Sequence, residues 1–271
     1  EDTTIIINLN PTPKIEVSID DTIYCDLSDV IFDVNSPNGN VIGDIYYNLN
    51  TTNIPGTVDG VTNPPEYALA PDYGFTNSLV NKSDSFQIIT YHFKAKFKLD
   101  GSDLCSNGVD TTINIYINPT PVLDVQIADT LFCDTAEVDF ELIDRTGKVL
   151  GDKYYYVETS FSPLLEGIQP TGYYDLSDNH ITDTLYNMDL RYHTVTYTIK
   201  PVIKDPRDEG VEEYCSTGND TSITVYVNPK PFINVNISDT IWCDSSNVPF
   251  DINSLQAGDN MLIGDLWYDV I

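Results

Sequence analysis

The chain has 271 residues, of which 13 are Lys or Arg and 42 are Asp or Glu, so its formal net charge is −29. A surface this acidic repels nucleic acid and the anionic face of a membrane, and neither is expected as a partner. Hydrophobic residues make up 41% of the chain, which is enough to form packed cores. Frequent Tyr, Thr, Val and Ile favour strands, and no apolar run approaches the roughly 18 residues of a membrane-spanning helix.

A hexapeptide with the pattern Asp-Thr-apolar-aromatic-Cys-Asp occurs three times in the chain. Its copies are Asp21–Asp26, Asp129–Asp134 and Asp239–Asp244, and the two intervals between them are nearly equal. A motif that returns at the length of one domain indicates a tandem array. We therefore interpret the chain repeat by repeat.

The first residues of the chain match the ends of two later repeats. Residues 2–13 read DTTIIINLNPTP, and the matching segments 110–121 and 220–231 read DTTINIYINPTP and DTSITVYVNPKP. Alternating apolar positions predict a half-buried closing strand. The Asn-Pro-x-Pro that follows predicts a short, stiff linker, because proline holds the backbone extended.

These segments define the predicted domains. Residues 1–10 are assigned to the last strand of a preceding repeat, 11–118 and 119–228 to two complete β-sandwich repeats, and 229–271 to the N-terminal part of a third repeat.

Within a repeat, the pattern predicts about seven strands in roughly 110 residues, which is typical of an all-β sandwich. A Gly-Asp turn precedes the third strand, and one position of that strand carries Tyr46, Tyr154 or Trp267. We expect this large ring to pack between the two sheets. The middle of each repeat is rich in Pro, Gly, Asn and Asp and is predicted to form surface loops.

The cysteines follow the repeat. The interval from Cys25 to Cys105 nearly equals that from Cys133 to Cys215, and Cys243 has no later cysteine before residue 271. The simplest interpretation is one disulfide inside each repeat, Cys25–Cys105 and Cys133–Cys215, with the partner of Cys243 beyond this segment. The alternative is five buried free thiols in a cytosolic protein. Flanking Asp and Ser residues argue against burial and favour an exported, disulfide-bonded protein.

No catalytic constellation is visible in the sequence. The three histidines, His92, His180 and His193, are not matched by a Cys or Ser nucleophile motif, and the common phosphate, dinucleotide and zinc motifs are missing. We predict that this segment is not an enzyme.

Clustered Asp residues make calcium the only candidate cofactor that the sequence indicates. Asp20, Asp21 and Asp26 crowd the first hexapeptide, Asp103 lies near Cys105, and carboxylate oxygens are the ligands calcium prefers. A solvated acidic face explains the same residues, so no metal site is assigned.

The order of these motifs resembles a known family. N-P-T-P linkers, a T-x-x-C element, a C-S-x-G turn and a closing strand that ends in N-P are similar to the PKD-like, immunoglobulin-like repeats of giant Bacteroidota cell-surface adhesins of the gliding-motility type. The resemblance implies tandem Ig-like sandwiches in an elongated array, attached to the outside of the cell and exported by the type IX secretion machinery. Its partners would be neighbouring repeats and, through other parts of the protein, an extracellular surface or polysaccharide.

The same resemblance implies O-glycosylation of Thr within Asp-Thr-apolar triplets. The triplets in the three hexapeptides mark Thr22, Thr130 and Thr240. Weaker candidates are Thr3, Thr111, Thr135 and Thr184. Asp-Thr is also common chemistry for a turn at the start of a strand, which explains the triplets without a glycan.

Two functions are compared. The first is a non-catalytic segment of a long adhesin filament that provides reach and mechanical stability for surface attachment or gliding. The alternative is a set of carbohydrate-binding or spacer modules of a secreted polysaccharide-degrading enzyme. Exposed aromatic side chains in the middle loops would favour the alternative and buried ones the first. The residues concerned are Tyr67, Tyr73, Phe75, Tyr173 and Tyr174.

Overall fold

The structure is a computed structural model that describes residues 2–61, 67–68, 73–204, 215–258 and 261–271. All of its regular elements are β-strands, and none of the described residues forms a helix that is long and apolar enough to cross a membrane. The chain divides into two compact units. Unit 1 comprises Glu1–Val122, Arg145–Asp152 and Val202–Gly218, and unit 2 comprises Leu123–Asp144, Lys153–Pro201 and Asn219–Ile271.

The predicted boundary after residue 118 falls close to the change of unit after Val122. Two segments of the second repeat, Arg145–Asp152 and Val202–Gly218, belong to unit 1. The repeats therefore describe the sequence, whereas the units describe which residues pack together.

The first repeat forms a sandwich of two sheets. Its strands are β1 (Glu16–Ser18), β2 (Ile23–Tyr24), β3 (Ser28–Asn35), β4 (Asp44–Thr52), β5 (Val58–Asp59), β6 (Tyr67–Ala68), β7 (Tyr73–Asn81), β8 (Gln87–Leu99), β9 (Ser102–Cys105) and β10 (Asp110–Ile117). One sheet has the order β1-β3-β7-β5. The other has the order β2-β10-β8-β4-β6, with β9 paired to β8.

The second repeat forms the same two sheets. Its strands are β11 (Leu123–Ile127), β12 (Leu131–Cys133), β13 (Ala136–Asp144), β14 (Asp152–Phe161), β15 (Leu165–Glu166), β16 (Gly172–Asp175), β17 (His180–Asn187), β18 (His193–Lys204) and β19 (Thr221–Asn228). The sheet orders are β11-β13-β17-β15 and β12-β19-β18-β14-β16. In the third repeat, β20 (Asn234–Ile237) pairs with β21 (Phe250–Asn253).

Each core is built from strands whose alternate residues are apolar. In β3, Val30, Phe32 and Val34 are fully buried while the residues between them are exposed. In β8, Ile89 and Tyr91 are fully buried and the residue between them is half-buried. Successive side chains of a strand point to opposite faces, so one face of each sheet meets the other sheet and buries its apolar set. The predicted all-β sandwich is confirmed.

The predicted core ring is one residue out of place. Tyr47 and Tyr155 are the buried rings, at 0% and 2% exposure, whereas Trp267 is 84% exposed. The period of two places Tyr46 on the outer face of β4, where the Lys98 ammonium lies 5.0 Å from its ring centroid. The prediction named the position that alternates between Tyr and Trp, whereas the Tyr beside it fills the core in the first two repeats.

Candidate functional site at the repeat junctions

The hexapeptide opens with a turn closed by its first Asp. The Oδ1 atom of Asp21 accepts hydrogen bonds from the N–H groups of Thr22 and Ile23, at 2.5 and 3.2 Å. The other two copies repeat this geometry closely, at Asp129 (2.6 and 3.1 Å) and Asp239 (2.7 and 3.1 Å). This is the Asx-type turn that Asp favours at the start of a strand.

The short strand after this turn brings the cysteine of the hexapeptide, which we call the early cysteine, to the end of the closing strand. The early cysteine is Cys25 in the first repeat and Cys133 in the second, and the closing strand is β10 or β19. β2 runs parallel to β10 and pairs Tyr24 with Ile117, the last residue of β10. In the second repeat β12 pairs with β19 in the same way, and Cys133 itself lies opposite Asn228. The early cysteine of each repeat therefore lies where the closing strand leaves the sandwich.

The Asp that follows the early cysteine is a structural residue. Asp26 is only 7% exposed, and its carboxylate accepts hydrogen bonds from the Asn81 N–H at 2.7 Å, the Leu27 N–H at 2.9 Å and the Thr120 hydroxyl at 2.5 Å. Asp134 accepts the matching bond from the Asn187 N–H at 2.8 Å. This Asp joins the hexapeptide to the end of β7 or β17 and, at Thr120, to the linker.

The second cysteine of each repeat, Cys105 or Cys215, which we call the late cysteine, lies at the opposite end of the sandwich. Cys105 pairs with Phe97 across β9 and β8. Cys215 forms an isolated bridge to Ile203 near the end of β18, with hydrogen bonds of 3.0 and 2.9 Å between the two backbones. The late cysteines therefore lie before the closing strand begins, and the early cysteines lie where it ends.

The disulfide joins Cys25 to Cys215, so both predicted pairings, Cys25–Cys105 and Cys133–Cys215, are wrong. The two half-cystines are 190 residues apart in sequence, their Cα atoms are 5.2 Å apart, and both belong to unit 1. Cys105 is a free, half-buried cysteine, and Cys133 and Cys243 are free and exposed, so five buried thiols is also wrong.

The register of β8 explains why Cys25 does not reach Cys105. Cys105 lies beside Phe97, whereas Ile117 and its neighbour Tyr24 lie beside Gln87 at the other end of β8. Ten residues of strand span about 33 Å, far more than the roughly 7 Å that a disulfide allows between Cα atoms. The near-equal spacing showed that the positions of the cysteines repeat, but it gave no information about which end of the sandwich each cysteine occupies.

The Asn before each Pro forms a second repeated feature. Its side-chain amide contacts the backbone of one apolar residue that lies 32 or 35 positions later. The amide nitrogen donates to the carbonyl oxygen of that residue, and the amide oxygen accepts from its N–H. The pairs are Asn10 with Ile42 (2.8 and 2.8 Å), Asn118 with Leu150 (2.9 and 2.8 Å) and Asn228 with Ile263 (2.9 and 2.9 Å). Asn118 is completely buried. We call this contact the Asn clamp.

Directly after the clamped residue stands the Gly of the Gly-Asp motif. Gly43 and Gly151 have φ values of +94° and +122°. A Cβ atom on either would lie 2.1 or 2.2 Å from the carbonyl oxygen of Lys98 or Lys204, so only glycine fits. The Gly-Asp motif therefore forms the predicted turn and also brings the glycine backbone into close contact with the backbone of β8 or β18.

The linker is also held by the backbone N–H four residues after the clamp Asn. This N–H donates to a side-chain oxygen in each repeat: Lys14 to Asn38 at 2.7 Å, Val122 to Thr146 at 2.9 Å and Phe232 to Gln256 at 2.8 Å. In unit 1, residues 84–86 add backbone bonds to 147–148, namely Gly147 N–H to Asp84 C=O and Phe86 N–H to Lys148 C=O, both at 2.7 Å. Sequence reasoning missed this junction, although Asn-Pro and apolar-Gly-Asp recur in every repeat and were visible.

The candidate calcium ligands are not brought together. Asp103 forms an ion pair with Lys96 at 3.4 Å, beside the late cysteine, whereas Asp21 and Asp26 lie at the early cysteine and accept backbone hydrogen bonds. Among the residues that the structure describes, no group of three or more His, Cys, Asp or Glu side chains is arranged to hold a metal ion. Calcium binding by Asp20, Asp21, Asp26 or Asp103 stays untested, and no metal site is assigned.

The histidines contact carboxylates or a hydroxyl on the folded surface. His180 lies 2.8 Å from Asp139, His193 lies 3.0 Å from Asp189, and the hydroxyl of Thr112 lies 3.1 Å from His92. The bond to Asp139 raises the pKa of His180, and hydrogen bonds from the Leu190 N–H and from His193 lower the pKa of Asp189. Each of these pairs joins a histidine to a carboxylate or to a threonine hydroxyl, and none of the three includes a cysteine or a serine.

The second sandwich also buries a carboxylate. Asp183 is 4% exposed and accepts hydrogen bonds from the Tyr197 hydroxyl at 2.5 Å and the Gln169 N–H at 3.0 Å. Burial raises the pKa of Asp183 and that of Tyr197. The first repeat has Asn77 at this position, and its amide donates to the Tyr91 hydroxyl at 2.7 Å. Burial raises the pKa of Tyr91 to about 12.

The described aromatic side chains of the middle loops pack against the protein. Phe75 stacks on Phe32 with ring centroids 4.6 Å apart, and Tyr174 stacks on Tyr155 at 5.7 Å. Tyr173 lies against Tyr156 at 4.8 Å. All three are half-buried, which favours plain packing over a glycan platform. The side chains of Tyr67 and Tyr73 lie outside the described residues.

The threonines of the hexapeptides are accessible. Thr22, Thr130 and Thr240 are all exposed, as are Thr3 and Thr135, whereas Thr111 and Thr184 are half-buried. The Asx turn accounts for the Asp-Thr pair in each hexapeptide. Glycosylation stays a prediction.

No protein-family model and no curated protein matches the chain. Among solved structures it is similar to the adhesin InvE of Yersinia pseudotuberculosis, with a TM-score of 0.31 and 12% identity over 79% of this chain and 58% of that one. It is also similar to the Escherichia coli adhesin FdeC (TM-score 0.28, 10% identity, 93% and 76% covered) and to Escherichia coli alpha-2-macroglobulin (0.32, 8%, 85% and 24%). The chain thus spans less than two thirds of the InvE structure and about a quarter of the macroglobulin. Likeness at this level carries no argument about function.

Proposed function

We propose that this chain is a mechanical spacer in a bacterial surface adhesin, a non-catalytic segment that provides reach and withstands pulling. The observation that carries the proposal is the Cys25–Cys215 disulfide, which covalently joins the first repeat to the second. Disulfides persist in oxidising compartments outside the cytosol, so the bond also supports an extracellular location.

The disulfide changes the path that force takes along the chain. When the chain is pulled from its ends, tension passes through residues 1–25, crosses the sulfur–sulfur bond and continues from Cys215. Residues 26–214, which include β3 to β18, then carry no tension through their backbone. One covalent bond thus removes tension from most strands of both β-sandwiches, although β1, β2 and β19 lie outside the bypassed segment. That arrangement suits a spacer better than a catalytic or ligand-binding domain.

Several finer features belong to the same proposal. The type IX secretion machinery would export the protein, an extracellular surface or polysaccharide would be its target through other parts of the molecule, and gliding motility is one use of such a filament. The exposed Thr22, Thr130 and Thr240 would carry glycans. Intact mass after isolation from the native cell surface tests the glycans, because the bare chain is 30.3 kDa.

Single-molecule force spectroscopy tests the mechanical role. Because residues 26–214 are locked behind the bond, the oxidised chain is expected to unfold to a contour length about 650 Å shorter than the reduced chain, at roughly 3.5 Å per residue. The Cys25→Ser variant should give the long contour under both conditions.

The matched control is Cys105→Ser, because Cys105 is free and its loss should leave the short contour unchanged. Equal contour lengths with and without reductant would contradict the proposed force path.

A further inference from the structure

We propose that the early cysteine of each repeat bonds to the late cysteine of the following repeat, which assigns Cys133 as the attachment point for the Cys-Ser turn of the repeat that follows residues 119–228. The exposed thiol of Cys133 is then one half of a second inter-repeat disulfide. This connectivity is independent of any adhesive role.

The surroundings of Cys133 match those of the bonded Cys25. Each cysteine lies on or directly after a short strand that runs parallel to the end of the closing strand. The next residue is the buried or half-buried Asp that accepts the N–H of Asn81 or Asn187. The residue after that Asp has φ near +60° in all three hexapeptides: Leu27 at 65°, Thr135 at 62° and Ser245 at 66°. The same backbone therefore presents each early thiol.

The late cysteines are equivalent as well. Cys105 lies opposite Phe97 and Cys215 lies opposite Ile203, and in each repeat the next residue of the long strand is the Lys whose carbonyl meets the Gly-Asp glycine. Cys215 is bonded and Cys105 is free, although they occupy the same place in their repeats. The partner of Cys215, Cys25, belongs to residues 11–118, the repeat before the one that contains Cys215.

The linker contacts recur at the second junction. Asn228 clamps Ile263 with the same two hydrogen bonds that Asn118 makes to Leu150, and Phe232 donates to Gln256 as Val122 donates to Thr146. A following repeat would thus be held at residues 228–232 as the second repeat is held at 118–122. Its late cysteine would then meet Cys133 as Cys215 meets Cys25.

Forming the bond needs a two-electron oxidant, and a small-molecule disulfide of the glutathione type provides it. The Cys133 thiol loses its proton and the thiolate attacks the oxidant, forming a mixed disulfide and releasing one thiolate. The thiolate of the late cysteine then attacks the Cys133 sulfur and expels the second. Two protein thiols become one disulfide, and one oxidant disulfide becomes two thiols.

The first test uses the chain as it is. Alkylation without reduction should label three cysteines in the wild type and four in Cys25→Ser, because Cys215 then stays free beside Cys105, Cys133 and Cys243. Peptide mapping identifies the labelled sites, and Cys105→Ser, which should keep the Cys25–Cys215 bond, is the control. A Cys133–Cys215 bond in Cys25→Ser would overturn the proposal, because it would show that pairing within a repeat is available.

The second test supplies the missing half. A copy of residues 159–228 added after Ile271 completes the third repeat, and Thr217→Ser in the copy alone distinguishes its peptide from the native one. After refolding with oxidised and reduced glutathione, Cys133 should be bonded to the cysteine of the copy and should lose its alkylation. If the copy resists proteolysis and Cys133 is still alkylated, or is bonded to Cys243, the proposal is wrong. If the copy does not fold, the Cys25→Ser result decides.

Discussion

Asp26 and Asp183 are both almost fully buried, yet we expect them to affect stability in opposite directions. Asp26 accepts three hydrogen bonds shared between its two carboxylate oxygens, including one from the linker. Asp183 receives two hydrogen bonds, both on one oxygen, and burial raises its pKa. Donors that balance desolvation stabilise a buried charge, and a shortage of donors favours the neutral acid.

Replacing Asp26 by Ala should destabilise unit 1 by roughly 2–4 kcal/mol, because the Asn81 N–H and the Thr120 hydroxyl would lose a charged acceptor. Chemical denaturation of the oxidised chain measures the change. Asp20→Ala is the matched control, since Asp20 is exposed, and it should stay within about 0.5 kcal/mol of the wild type. Equal effects of the two substitutions would show that Asp26 does not stabilise the junction.

Replacing Asp183 by Asn should stabilise unit 2 at pH 7. The folded-state pKa of Asp183 lies above its usual 3.8, so the folded chain holds this proton more tightly than the unfolded chain. The stability that the group contributes is complete below pH 3.8 and is lost as pH rises through the folded-state pKa. The amide oxygen of Asn can accept both existing bonds, and Asn77 already occupies this position in the first repeat.

Denaturation at several pH values checks this prediction. The gain of Asp183→Asn over the wild type should be largest at pH 7 and should shrink as pH falls towards 3.8. Asp178→Asn removes an exposed carboxylate from the same region and should show no such trend. A gain that did not change with pH would mean that ionisation of Asp183 has no part in it.

At the scale of strands, periodicity predicted the sandwich because it depends on a local property. The alternation of apolar and polar residues in β3 and β8 predicts which face of each strand is buried, and the structure buries that face. The disulfide could not be predicted in this way, because its partners depend on the parallel pairing of β2 with β10, a contact between segments far apart in sequence. The Asn clamp was predictable in principle, since both of its parts recur in the sequence.

The glycine beside the clamp provides a prediction at this scale. Gly151→Ala should destabilise unit 1 by roughly 3 kcal/mol, because it forces a Cβ to within 2.2 Å of the Lys204 carbonyl oxygen at a φ of +122°. Gly39→Ala is the control. No atom lies within 4 Å of a Cβ at Gly39, and its φ is outside the left-handed region. Thermal unfolding of both variants measures the difference, and equal melting temperatures would contradict the close approach.

For the whole molecule, one bond links most of the chain into a single covalent loop. Closing 190 residues removes about 5 kcal/mol of denatured-state entropy in the chain-entropy model. The same bond fixes residues that belong to two sequence repeats but to one packed unit, so its loss affects the linker as well as the sandwich. A disulfide that joins one repeat to the next stabilises the linker between them, whereas a disulfide inside a repeat would not constrain the linker.

Reduction of the intact chain should therefore lower the denaturant midpoint of unit 1, and Cys25→Ser should have the lower midpoint with or without reductant. The expected loss is several kcal/mol and is bounded by the entropic figure of about 5 kcal/mol, because residual structure in the unfolded chain reduces the benefit. Cys133→Ser removes an exposed free thiol and should keep the wild-type midpoint and its sensitivity to reductant. If the wild type did not respond to reductant, the disulfide would add nothing to the stability of unit 1, and the junction would depend on the hydrogen bonds of the Asn clamp and of Asp26.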